Sequence, residues 1–215
     1  MSKIKWVSVD DFLSDIKKIN EEIREEVIET ITNSKEEPYD FNYVLKTLEQ
    51  TKNWYIHEGD LILNNSFSSE YALIVKGNLI INGIYDDYKD SYIGNVIVLG
   101  NLEADHIYSW GTLTVLGDIK AKGLIFNEYN DHVFETKGEI HCKAFYVSDK
   151  QVLYKDKLLT TEFERDYDGI ITGSSISAFF VDEVINKDED DEEFYELDSR
   201  NVKQLLYDGK DIFKT

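Results

Sequence analysis

One cysteine, one proline and one methionine occur in 215 residues. With Cys142 alone no intramolecular disulfide can form, and nothing points to an oxidising compartment. No apolar run is long enough to cross a bilayer or to form the core of a signal peptide, so the expected place of action is the cytoplasm. Basic residues are scarce as well. The 23 Lys and Arg stand against 43 Asp and Glu, a formal charge of −20. Phosphate binding needs local cationic neutralisation, so this balance excludes nucleic acid as a partner and favours a basic one. The same charge would also keep a cytosolic protein soluble.

Catalytic patterns are missing too. There is no Gly-x-Ser-x-Gly, and Gly173-Ser174-Ser175 lacks the context of a nucleophile elbow. No Gly-x-Gly-x-x-Gly or Walker pattern occurs. Zinc needs three or four converging ligands. The four histidines are His57, His106, His132 and His141, and the nearest local cluster is Asp131-His132 with Glu135. In an extended strand His141 and Cys142 would point to opposite faces, which keeps them from sharing an ion. The expectation is therefore no enzyme, no metal and no cofactor.

What the chain does contain is a repeat. Gly59-Asp60-Leu61, Gly77-Asn78-Leu79, Gly100-Asn101-Leu102, Gly117-Asp118-Ile119 and Gly138-Glu139-Ile140 follow one another at steps of 18, 23, 17 and 21 residues. A period near 20 with a short apolar run on each side of a turn is what stacked coils produce. Leu73-Ile74-Val75-Lys76, Val96-Ile97-Val98-Leu99 and Leu113-Thr114-Val115-Leu116 precede the glycines and have the length and β-branching of short strands. After them, Leu102-Glu103-Ala104 and Ile119-Lys120-Ala121 alternate so that the charged side chain points out. The Asn or Asp beside each glycine would form a polar ladder from coil to coil, with glycine supplying positive φ at the corner. The fold class expected is mainly β: a single-stranded β-helix, or solenoid, of about five to six short coils, with an α-helical N-terminal cap and a short C-terminal helix.

Three regions follow: a helical cap over residues 1–53, the array over 54–154 and a closure over 155–215. Phe12, Ile16, Ile19, Ile23, Val27 and Ile31 step by three or four and predict one helix from about Val9, with Ser8 as N-cap. Pro38 ends that unit, and Asp40 to about Lys52 reads as a second short helix; together they would shield the first coil's open edge. In the closure, the apolar run Ile176 to Val184 reads as a last strand. Asp182 to Glu193 is an acidic block, and Ser199 would cap a helix ending near Gly209.

The 23-residue step carries an acidic, tyrosine-rich insertion, Tyr85-Asp86-Asp87-Tyr88-Lys89-Asp90-Ser91-Tyr92. Insertions in solenoids emerge on one face, often the binding face. Tyr and acid together suit a polar or basic protein surface.

The stretches Val96 to Ala104, Gly111 to Ala121 and Tyr129-Asn130-Asp131-His132 resemble a scattered family of bacterial β-solenoid proteins, over about residues 70 to 150. Its members share coils of the form apolar-x-apolar-x-Gly-Asn/Asp-Leu-x-Ala with a late Tyr-Asn-Asp-His-like element, and the coil pattern is similar to that of bactofilins. Family members often have an acidic residue and a His after the last coil; here Ser148-Asp149-Lys150-Gln151 keeps the Asp alone. Several such proteins look like immunity proteins of polymorphic toxin systems. The resemblance implies a monomer or dimer that occludes the active site of a cognate toxin domain, or alternatively a self-assembling scaffold of the bactofilin type. The partner-binding residues expected are Tyr85, Asp86, Asp87, Tyr88 and Asp90 on the insertion, Tyr129, Asn130, Asp131 and His132 late in the array, and Asp188, Glu189, Asp190, Asp191, Glu192 and Glu193 in the acidic block.

Overall fold

Short β-branched runs that recur from coil to coil satisfy their backbones by lying beside the same run of the next coil. A computed structural model of the chain has this arrangement and describes residues 17–18, 21–33, 54–68, 72–89, 92–128, 131–149, 151–153, 159–166, 169–187 and 195–215. Three parallel sheets form its faces. Face 1 stacks Trp54–His57, Ala72–Val75, Asn95–Val98, Thr112–Val115, Val133–Thr136 and Gln151–Leu153. Face 2 stacks Leu61–Leu63, Leu79–Ile81, Leu102–Ala104, Ile119–Ala121, Ile140–His141 and Leu159–Thr160. Face 3 stacks Phe67–Ser68, Ile84–Asp86, His106–Ser109, Leu124–Asn127, Ala144–Val147 and Phe163–Asp166. One strand from each face makes a coil, and the interior is filled by columns such as Leu73, Val96, Leu113 and Phe134. The mainly β solenoid with helices at both ends is thus the fold.

The polar ladder lies at the corner between faces 1 and 2. The Asp60 side chain accepts a hydrogen bond from the Asn78 amide at 2.7 Å, Asn78 accepts from Asn101 at 2.8 Å, Asn101 from Asp118 at 2.8 Å and Asp118 from Glu139 at 2.9 Å. Beside it, Gly77, Gly100 and Gly117 each donate to the glycine carbonyl one coil below at 3.0 Å. These glycines do not have the positive φ expected of them; in this ladder Gly59 alone does, at +80°. Their constraint is steric, because a Cβ on Gly100 would sit 2.6 Å from Asn78 Oδ1 and 2.8 Å from the Gly77 carbonyl.

The corner between faces 2 and 3 repeats the device with other side chains. Ser66 Oγ accepts from the Ile84 amide at 3.0 Å, and in the same column His106 Nδ1 accepts from the Leu124 amide at 3.0 Å. An accepting Nδ1 carries no proton, so the folded state holds His106 neutral. Burial lowers its pKa below the usual histidine range, against the opposing pull of Asp105 and Asp211.

Two faces are covered by the chain's own ends. On face 1, Val27 and Ile31 of α1 (Glu21–Asn33) pack on the outward-facing Trp54, Ile56, Ala72, Ile74 and Ile97. Thr114 and Glu135, next in that outward column, are buried as well. On face 3, Ile176 and its successors in α2 (Ile176–Phe179), the 3-10 turn Asp182–Val184 and α3 (Ser199–Tyr207) cover Tyr108, Phe126, Tyr146 and Phe163. Among the described residues face 2 is the bare one: its outward column of Ile62, Ile80, Glu103, Lys120, His141 and Thr160 is partly or fully exposed.

Several expectations need correction. The first helix begins at Glu21 rather than Val9, because Lys17–Lys18 instead pairs antiparallel with Tyr55 and Ile56 at the edge of face 1. Residues 1–16, with Ser8 and Phe12, and the second helix expected over 40–52 lie outside the described residues. The helix lies along face 1 rather than over the end of the first coil, because it is the outward apolar column that its own apolar face can bury. Parallel pairing continues past 154 to Arg165, giving a sixth coil without a Gly-polar-apolar corner. The strand expected over 176–184 is instead two short helical turns, Ile176–Phe179 and Asp182–Val184, separated by extended Phe180 and Val181, with Phe180 alone bridging Phe213; Ile176, Phe180 and Val184 all pack on the sheet. The closing strand is Gly169–Thr172, antiparallel to Phe163–Asp166. Asp198 rather than Ser199 caps α3, accepting from the Arg200 and Asn201 amides, while Gly209 at φ +69° ends it as expected.

Two outcomes test the corners. Gly100→Ala should cost about 1–3 kcal/mol by overpacking, and Gly100→Asn no less. Gly59→Asn, with open space around it and a left-handed backbone that Asn accepts, should be close to neutral in the same denaturant titration. Equal losses at the two sites would overturn the steric account. For His106, the unfolded state binds a proton near pH 6.5 and the folded state only at lower pH. The stabilisation held by the neutral ring is therefore complete above pH 6.5 and lost as pH falls through the folded pKa. His106→Ser, which keeps an acceptor of the kind Ser66 provides, should lose less stability than the wild type between pH 7.5 and 5.5 in thermal melts.

Candidate functional site

The insertion that begins at Tyr85 is built inward before it turns outward. Tyr85 and Asp86 belong to the strand Ile84–Asp86, and Tyr88–Lys89 forms a small hairpin with Tyr92–Ile93. Tyr85 points into the core and is completely buried, Asp86 is 1% exposed and Asp87 is 0% exposed. The binding role expected of Tyr85, Asp86 and Asp87 is corrected accordingly: a recognition surface cannot be made from these three side chains, because each is buried inside the fold.

Asp87 fastens the third corner. Its Oδ1 accepts from the Gly111 amide at 2.8 Å and from the Trp110 amide, and its Oδ2 accepts from Ser109 Oγ at 2.9 Å. Asp86 opens an outward column on face 3 that continues through Tyr108, Phe126, Tyr146 and Arg165. Strand spacing near 4.8 Å suits ring stacking. Tyr108 and Phe126 stack at 5.3 Å between centroids, and Phe126 and Tyr146 at 5.1 Å, each pair 6° from parallel.

Charge closes both ends of this stack. At one end Lys203 of α3 meets Asp86 Oδ2 at 2.7 Å, Tyr207 donates to the same oxygen at 2.9 Å and the Tyr88 amide donates to Oδ1 at 3.0 Å. Lys203 also donates to the Tyr88 carbonyl at 2.9 Å and lies 5.2 Å from the Tyr88 and Tyr108 rings. Burial raises the Asp86 pKa, and the Lys203 contacts oppose that rise. At the other end Arg165 lies 4.9 Å over Tyr146 and pairs with Glu196 at 3.1 Å. The Tyr146 hydroxyl accepts from the Leu197 amide at 3.1 Å, and burial pushes its pKa up to about 12. Between the two ends, Tyr108 and Trp110 both donate to Glu128, whose pKa burial raises. The arrangement is a clamp that holds the C-terminal segment on face 3, with no access for a substrate at either buried aspartate.

The remaining expected site residues are scattered. His132 Nδ1 is 3.1 Å from Thr112 Oγ1 at the third corner, and Asp131 beside it is exposed. Asp90, Tyr129, Asn130 and Asp188 to Glu193 lie outside the described residues. The acidic block joins Ile185–Lys187 to Tyr195–Leu197, which pair antiparallel. His141 and Cys142 diverge as expected: His141 bonds Glu139 at 2.9 Å, and Cys142 packs on the core with its thiol pushed up to about 12 by burial. Among the described residues no three His, Cys, Asp or Glu converge as a metal site would require. Sequence reasoning missed Lys203, Tyr207 and Arg165, whose partners lie in distant segments and leave no local pattern. It also passed over the bare face 2, where a shallow groove runs past Glu103, Ala104, Lys120, Ala121 and His141.

Lys203→Met should strand the Asp86 carboxylate. The expected loss is up to about 3 kcal/mol, the low end for breaking a buried pair because Lys203 keeps part of its surface in water. Asp86→Asn combined with Lys203→Met should recover much of it, as read from urea unfolding of the four proteins in the cycle.

No family of known proteins matches this chain, and no solved structure does. Over 98 residues it is 34% identical to "Uncharacterized protein YdbD" of Escherichia coli (strain K12). The shared stretch is 45% of this chain and 12% of that protein's length, so the similarity is to a small part of a much longer chain.

Proposed function

We propose that this protein is an immunity protein that binds a basic toxin domain in the cytoplasm and occludes its active site. The observation that carries the reading is where the acid lies. The chain has 43 Asp and Glu against 23 Lys and Arg. Among the described residues Asp86, Asp87 and Glu135 are the buried carboxylates, and the other described ones reach solvent at least in part. An exterior with that surplus attracts a basic domain over long range, speeds encounter and disfavours acidic competitors. The acidic block, Asp188 to Glu193, which links two paired strands in the sequence, is the contact segment of choice, with Asp90 and Asp131 as further acidic contributors. The reading assigns recognition, not catalysis, to the protein.

A scaffold of end-to-end solenoids is the second reading. It would have to displace Lys17–Lys18 from the first edge of face 1 and Gly169–Thr172 from the last edge of face 3. Self-repulsion at −20 per chain adds to that cost.

The test is capture of the tagged protein at low salt from a host that carries the toxin system, alongside a variant with Asp188, Asp190 and Asp191 changed to Asn and Glu189, Glu192 and Glu193 changed to Gln. A stoichiometric basic toxin domain should co-elute with the wild type, and the variant should bind it at least about tenfold more weakly, mainly through a slower on-rate. Recovery of the wild type alone, or a complex indifferent to both salt and the six changes, overturns the reading.

A further inference from the structure

Face 2 bears two adjacent rows of opposite charge. On the third coil Glu103 points outward from the strand and Asp105 stands at its following corner; on the fourth, Lys120 and Lys122 occupy the same two positions. Within one chain Lys122 already reaches Asp105 at 2.5 Å. Lys120 and Lys122 are exposed, Glu103 and Asp105 are half-buried, and among the described residues neither end segment covers this face as they do the other two.

We infer that face 2 is a self-complementary surface on which a second copy of this chain docks, the two solenoids lying face to face with their axes antiparallel. The charges choose that geometry. A two-fold axis parallel to the strands, placed between the third and fourth coils, keeps the order of the corners and reverses the order of the coils. Glu103 then faces Lys120 of the second copy and Asp105 faces its Lys122, with the reciprocal pairs beside them. The alternative two-fold, along the solenoid axis, sets Glu103 on Glu103 and Lys120 on Lys120, which like-charge repulsion disfavours.

The outer coils fit the same operator. The second coil's Ile80 and Asn82 meet the fifth coil's His141 and Lys143, so an amide oxygen faces an ammonium and no like charges meet. At the pairing level the groove is lined by the two charged rows themselves, Glu103 and Asp105 on one side and Lys120 and Lys122 on the other.

Size sets the strength. Six coils at about 4.8 Å give a face about 29 Å tall, and three-residue strands with their corners make it about 17 Å wide. That is about 500 Å² per copy, below the standard interface of about 800 Å² per partner, so the dimer belongs to the weak class with dissociation in the micromolar range or above. Repulsion between two chains of −20 works against it over distance, but at 0.15 M salt it is screened beyond about 8 Å while the paired rows are in contact.

Two charge-reversed proteins test this without touching the core: Glu103→Lys with Asp105→Lys, and Lys120→Glu with Lys122→Glu. Sedimentation equilibrium in 0.15 M salt should show the wild type forming dimers at high protein concentration. Each variant alone should be monomeric, with association weakened at least about tenfold, because all its facing charges are then alike. An equimolar mixture of the two should regain dimers, since a base-only face then meets an acid-only one. Thermal melts of each variant establish that it is folded. A wild type that stays monomeric, variants that dimerise as the wild type does, or a mixture that stays monomeric overturns the inference.

Discussion

At each corner between faces 1 and 2 the chain turns, and one backbone amide points along the solenoid axis where no strand can reach it. The side-chain oxygen of Asp60, Asn78, Asn101 or Asp118 in the coil below takes that amide. So close an approach leaves no space for a Cβ on the neighbouring glycine. Shape and hydrogen bonding therefore enforce a single register together. Everything that stands in columns depends on it. A coil rotated by one residue would break the Tyr108–Phe126–Tyr146 stack, bury Glu103 and Lys120, and turn core leucines toward water.

The repeat was the legible part of this chain, because a residue type required at every corner returns at a readable period. Glycine was read there for the wrong reason. Its steric role involves an atom about 20 positions away, which no local window contains. The expected count of about five to six coils holds, but the array ends later than 154, because the sixth coil's corner lacks glycine and pairing with Val133, Phe134 and Glu135 discloses its first strand. The segment 176–184 reads as a strand because an apolar run of that length is ambiguous between strand and helix; in the fold only Phe180 keeps a β-bridge, between two short helical turns. At the site, Asp86 and Asp87 look like solvated loop residues by composition. They are interior because Lys203, 117 positions downstream of Asp86, and the amides of the next coil compensate their burial.

Which faces the chain covers follows from what points outward on them. Face 1 presents Trp54, Ile56, Ile74 and Ile97, and face 3 presents Tyr108, Phe126, Tyr146 and Phe163; each costs free energy in water and receives a helical segment. Face 2 presents charge in the middle of its column and, among the described residues, receives none. The described end segments are thus side walls rather than plugs, and one edge each of faces 1 and 3 is closed instead by a short antiparallel strand.

The clamp on face 3 also orders events in time. A ribosome delivers the chain from its N-terminus, and local parallel pairing can proceed coil by coil as residues emerge. Lys203 and Tyr207, which close the Asp86 end of the aromatic stack, lie downstream of every strand of the three faces. Until those two residues have emerged, the nascent solenoid carries a strip of stacked tyrosine and phenylalanine open to water. That interval, rather than anything in the finished fold, is when this protein is most exposed to misassociation.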